Sequence, residues 1–211
     1  NFFIGATENN LDEINRVPNI PGIKIYMGST TGSLLVDNAD HLDHIFSKAN
    51  HLIAVHAEDE ATIKKNSKTL NPKQDPTFHY KIRTPQAALK ATKLAVSLAK
   101  KYHRRLHICH VSTEEEVVFL SEEKELPLIT SAVTPQHLLT WGPEIYQKYQ
   151  TYAQINPPIR DKRHQKKLWE GLNSGVIDFV ASDHAPHTHS EKQQSFGQAP
   201  SGVPGVETTL P

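Results

Sequence analysis

The chain has 211 residues, with 23 basic and 23 acidic side chains, 13 His and a single Cys. Zero formal charge argues against a protein that coats nucleic acid, and no apolar run approaches the roughly 20 residues of a membrane span. One Cys permits no internal disulfide and suits a reducing, cytoplasmic compartment. Residues 1–5 (NFFIG) lack the basic n-region of a signal peptide and read as a strand. A short helix follows over 8–15, a strand over 22–28 (GIKIYMG), a helix over 37–49 and a strand over 51–57 (HLIAVHA). The stretch 66–82, with Pro72 and Pro76, reads as a long loop. Thr84-Pro85 caps a helix running to about Tyr102, with Pro at the first-turn position it tolerates. A strand over 105–111 (RLHICHV) leads to a capping box, Thr113 with Glu116, at the start of the next helix. Strand 127–133 follows, then a helix capped by Asp161 and ended near Gly175, then strand 177–183 and a second long loop over 184–207.

Strands alternating with helices imply a parallel sheet with crossover helices. An open doubly wound sheet and a closed (β/α)8 barrel both fit. No G-x-G-x-x-G or G-x-x-x-x-G-K-[ST] supplies the usual nucleotide reason for an open sheet. Six strands are two short of a barrel, which typically needs about 250 residues, so the chain reads as a piece of a longer protein.

In a barrel the working residues sit at the C-terminal ends of the strands. Alternation in GIKIYMG puts Ile23 and Ile25 on one face and Lys24 on the other, toward the barrel interior. A buried ammonium must be paired, deprotonated or chemically changed; the competing reading is a lysine at a strand edge that snorkels to water. His56 and His110 each close an apolar strand, and Asp183 closes FVASD. Singly, each is an ordinary polar strand terminus. Together they are nitrogen and oxygen donors without thiolates, a set that matches a catalytic rather than a structural zinc site. A Ser-His-Asp triad lacks its G-x-S-x-G elbow here. Alternation sends Cys109 to the face opposite His110, into core packing. His41, His44, His103 and His164 lie in charge-rich helical contexts and read as solvated.

These residues resemble the metal-dependent amidohydrolase superfamily, and within it the dihydroorotase family. The resemblance rests on Lys24 opening KIYMGSTTG, on Asn156-Pro157-Pro158-Ile159-Arg160, on Asp183-His184-Ala185-Pro186-His187 and on the Gly/Pro loop Ser201 to Thr208. It implies a (β/α)8 TIM-type barrel, present here as about strands 3–8, with 1–211 as one catalytic hydrolase domain. It implies two Zn2+ per subunit, bridged by Lys24 carboxylated on its amine, with His56 and His110 on the second metal and Asp183 on the first. Asp183 also becomes the proton shuttle. Asn156, His187, Ser201, Gly202 and, more weakly, Thr30 become substrate contacts. The strand-1 H-x-H-x-R and a strand-2 Asn of the family are absent from 1–211. The activity implied is the reversible interconversion of N-carbamoyl-L-aspartate and L-dihydroorotate, with a small-molecule substrate, no nucleic acid or membrane partner, and room for a homo-oligomer. The alternatives are another cyclic amidohydrolase (hydantoinase, dihydropyrimidinase or allantoinase) and a catalytically silent scaffold relative.

Overall fold

A computed structural model describes residues 2–29, 34–69, 75–123 and 128–209. Its strands are β1 (Ile4–Gly5), β2 (Ile23–Tyr26), β3 (Ile53–His56), β4 (Leu106–Ile108), β5 (Ile129–Val133) and β6 (Phe179–Val180). All five pairings are parallel, and the order in the sheet is the order in the chain. That sequential order belongs to a barrel wall; a doubly wound sheet reverses direction partway. The α/β barrel expectation therefore holds over the open doubly wound alternative.

The helices are α1 (Leu11–Arg16), α2 (Ala39–Lys48), α3 (Glu60–Thr69), α4 (His79–Ile82), α5 (Pro85–Tyr102), α6 (Glu114–Glu123), α7 (Pro135–Leu139), α8 (Glu144–Tyr149), α9 (Lys162–Asn173) and α10 (His189–Lys192). The caps read from the sequence form: Thr84 accepts from Ala87 N–H, Asp161 from Arg163 N–H and Thr113 from Glu116 N–H. The long loops are more ordered than expected. Segment 66–82 carries the end of α3, a 3-10 turn over Pro76–Phe78 and α4, while 184–207 carries α10 with its own Thr188–Glu191 capping box. These helices of one or two turns leave too little periodicity to be read.

Register separates the two faces of the sheet. One row, Ile23, Ile53, Leu106 and Ile129, with the partly buried Ile4 packed against it, faces the helices and belongs to the main core with the Ala-rich side of α5. The neighbouring row, Gly5, Lys24, Ala54, His107 and Thr130, faces the other way and is small or polar. Lys24 therefore lies on the inner face, as alternation requires. A satellite cluster of Tyr146, Ala153, Ile155 and Ile159 supports the segment leading to Asn156.

One histidine departs from expectation. His44 and His103 are exposed, but His164 is buried, and its Nδ1 accepts from the Glu114 backbone N–H at 3.0 Å. Helix α9 packs directly on α6, so this ring fills their seam, and burial, with Arg160 and Arg163 nearby, holds its pKa down to about 4.

Candidate active site

Lys24, His56, His110 and Asp183 line one cavity of about 280 Å³. Asn156, His187, Ser201 and Gly202 line the same cavity. The structure thus brings together eight of the nine residues singled out from sequence; Thr30 lies outside the described residues.

Two of these positions depend on unusual backbone. His110 has φ 36° and Asp183 has φ 45°, left-handed values that non-glycine residues rarely adopt and that concentrate at functional sites. The turn at His110 corrects the placing of Cys109. Leu106 and Ile108 face the helices, so His107 and Cys109 face inward by alternation. The positive φ then swings His110 inward as well. Cys109 is half-buried on the Lys24 side, its Sγ 3.0 Å from Lys24 Nζ, and is not core packing.

The two imidazoles meet edge to face, with His56 Nδ1 3.1 Å from His110 Nε2. Burial lowers both pKa values; at His56 it outweighs the opposing pull of Glu58. Both rings are therefore neutral near pH 7 and keep a lone pair for a ligand. Glu58, which sequence reading passed over, fixes which nitrogen of His56 carries it. His56 Nε2–H donates to Glu58 Oε2 at 2.9 Å, which leaves the Nδ1 lone pair facing His110. Burial alone would raise the Glu58 pKa, but Arg83 and then His56 pull it down to about 2.

Arg83, also unremarked in the sequence, closes the frame. Its guanidinium donates to Glu58 and to the Ser29 carbonyl, and Glu60 Oε2 accepts from Ser29 N–H at 2.7 Å. The exit loop of β2, which follows Lys24, is thus tied to the exit of β3. Gly28 permits the approach: a Cβ there would stand 2.7 Å from the Glu58 carbonyl oxygen. Arg160 of the NPPIR segment adds a bond from Nη1 to the Arg83 carbonyl at 2.6 Å. Two signals could have found this frame: Glu58 repeats His56 two residues on, and Arg83 directly precedes the Thr84 cap.

Asp183 stands at the rim. The protein around it raises its carboxyl pKa, against the lowering pull of Lys24 and His56, although the side chain still meets solvent. No group of three or more His, Cys, Asp or Glu forms a ready-made metal cage among the described residues. The donors on the cavity are a His56–His110 pair and the Asp183 carboxylate. The pair's 3.1 Å separation is close to the about 3.3 Å between two nitrogens of a tetrahedral zinc shell with 2.0–2.1 Å bonds. Lys24 makes no ion pair with a described carboxylate; its ammonium donates to Cys109 Sγ at 3.0 Å and stands over the Tyr26 ring. The His56–His110 pair thus offers two of the nitrogens that one metal position would take.

No protein-family model matches the chain. Similarity to individual proteins is extensive. The chain is 36% identical over 197 residues to a dihydroorotase of Methanosarcina acetivorans, covering 89% of this chain and 42% of that protein. It is 34% identical over 187 residues to a dihydroorotase of Thermococcus kodakarensis, covering 89% and 39%. The chain spans less than half the length of the curated relatives it matches. Among solved structures it superposes on an L-hydantoinase (dihydropyrimidinase) from Arthrobacter aurescens with a TM-score of 0.87 at 26% identity, over 97% of this chain and 48% of that one. A dihydropyrimidinase from Brevibacillus agri gives 0.85 at 25% identity, over 98% and 48%.

Proposed function

Taking the chain as a relative of the dihydroorotases over 89% of its length, we propose that it is the catalytic portion of a metal-dependent dihydroorotase. In this reading residues 1–211 are one hydrolase domain of a cytoplasmic protein. It interconverts N-carbamoyl-L-aspartate and L-dihydroorotate in pyrimidine biosynthesis. The observation that supports it most is the meeting of Lys24, His56, His110 and Asp183 on one cavity that also bears Asn156, His187, Ser201 and Gly202.

His56 and His110 would hold one Zn2+ and Asp183 another, with Lys24, carboxylated on its amine by carbon dioxide, between them. A bound metal pair supplies an activated water and a polarised ring carbonyl near neutral pH. The remaining work falls to the chain. Asp183 accepts a proton from the attacking water as the new C–O bond forms, then delivers it to the ring nitrogen as the C–N bond breaks. In the biosynthetic direction the same carboxyl takes the proton from the carbamoyl nitrogen and water is released. Asn156, His187 and the Ser201–Gly202 backbone would hold the substrate carboxylate and ring polar groups, with Thr30 as a further contact.

The test uses the complete natural protein, assayed with dihydroorotate beside hydantoin, dihydrouracil and allantoin, with zinc measured in the native protein and in Lys24→Ala. Turnover of dihydroorotate, close to two zinc per chain and loss of metal in Lys24→Ala are expected. Unchanged metal in Lys24→Ala removes the bridging role, and no turnover of any cyclic amide overturns the reading. The structural likeness to hydantoinases favours one second reading, a hydantoin or dihydropyrimidine substrate. Preference for either over dihydroorotate would establish it.

A further inference from the structure

Lys192 ends the four-residue helix α10 inside the segment 184–207, away from the cavity lining. It is 4% exposed. Its ammonium donates to three backbone carbonyls: Gln154 at 3.1 Å, Pro200 at 2.9 Å and Gly202 at 3.0 Å. Those bonds use all three of its protons. It makes no ion pair with a described carboxylate, so the whole compensation for burying the charge comes from these carbonyls. A buried apolar side chain of similar length would avoid that desolvation, which makes the choice of lysine here informative.

The three carbonyls belong to two adjoining segments of the cavity lining. Gln154 directly precedes Ile155 and Asn156, which line one edge; Pro200 and Gly202 bracket Ser201, which lines the other. Gln154 doubles the connection. Its carbonyl also accepts from Gly202 N–H at 2.9 Å, and its side-chain Nε2 donates to the Ala199 carbonyl at 3.0 Å and to Ser201 Oγ at 3.1 Å. Gly202 has φ 146°, and a Cβ there would stand 2.4 Å from the Ala185 carbonyl oxygen, so only glycine fits at this point of the second edge.

We propose that Lys192 is a positioning residue that sets the distance between the Asn156 edge and the Ser201–Gly202 edge, and so governs how tightly the cavity grips a small cyclic amide. The inference rests on the substrate reading above and concerns binding, not the metal or the proton transfer. Burial pulls the Lys192 pKa down to about 8, in keeping with a cation held only by neutral dipoles.

The test compares Lys192→Met and Lys192→Gln in the complete, metal-loaded protein, measuring kcat and KM with dihydroorotate, zinc content and amide hydrogen exchange. Lys192→Met should raise KM about tenfold or more, with kcat within about threefold of the native value and zinc unchanged. Lys192→Gln, which keeps two N–H donors, should fall between. Exchange at Gly202 N–H should accelerate while that of the strand amides stays put. Native KM in Lys192→Met, or kcat falling with KM unmoved, overturns the proposal. So does exchange that speeds up evenly across the fold, the mark of a merely structural residue. If the native protein hydrolyses no cyclic amide, the substrate reading fails by itself, and unchanged Gly202 exchange in Lys192→Met would still overturn the positioning role.

Discussion

On the wall formed by the exits of β2, β3 and β4, ionised and ring side chains hold one another: Arg83 grips Glu58, Glu58 grips His56, and His56 abuts His110. On the adjoining wall, backbone carbonyls converge on one ammonium and on neutral rings. Lys192 takes three of them, His79 donates to the Ile155 carbonyl at 2.8 Å, and His137 Nε2 lies 3.1 Å from the Pro157 carbonyl oxygen. The first wall fixes the direction and protonation of individual atoms, which chemistry demands. The second fixes the shape of two backbone edges, which recognition demands. Perturbing them should therefore give different symptoms.

The largest effect is expected at the rim between the walls. Asp183→Asn should keep fold and most metal while turnover falls by about a thousandfold or more, because an amide cannot accept and return the proton. Near-native turnover would remove Asp183 from proton transfer. Next comes the charged wall. Glu58→Gln should weaken zinc binding about 10- to 100-fold, by loosening the tautomer and aim of His56, while KM at saturating zinc changes little. A raised KM with unchanged metal affinity would erase the contrast between the walls.

The smallest effect is a slope in acid. His79 and His137 on the carbonyl wall, with His164 in the α6–α9 seam, are each held near pKa 4 chiefly by burial, against an ordinary 6.5. Between those values the unfolded chain binds more protons than the folded one. Stability is therefore complete above about pH 6.5 and declines as pH falls toward 4, by up to about 1.4 kcal/mol per pH unit for each ring. Denaturant midpoints from pH 7 to 4 should show the decline, and His137→Gln should flatten it. An unchanged slope would mean that His137 is not held neutral by the fold.

How much of this was legible in the sequence follows from what each residue depends on. Lys24 and His56 sit on regular strand, so alternation put Lys24 on the inner face and the end of an apolar run marked His56. His110 and Asp183 were placed at strand exits, but their left-handed φ leaves no mark in composition. The same blindness misassigned Cys109, because the turn at His110 interrupts the alternation used to orient it. His164 looked solvated since its charged neighbours dominate the local sequence, while the seam that buries it comes from a helix about 50 positions away. Glu58 carried a weak signal, the period-2 echo of His56. Lys192 carried none, since its partners are backbone carbonyls that every residue has.

The knot around Lys192 has a bearing on protein engineering. Transplanting the stretch around Ser201 from a relative to change substrate scope would import a rim whose spacing is read from Gln154 and Lys192, both outside the exchanged piece. A graft would have to travel as a cassette from Gln154 through Val203, or the new rim would sit over a pocket of the wrong width.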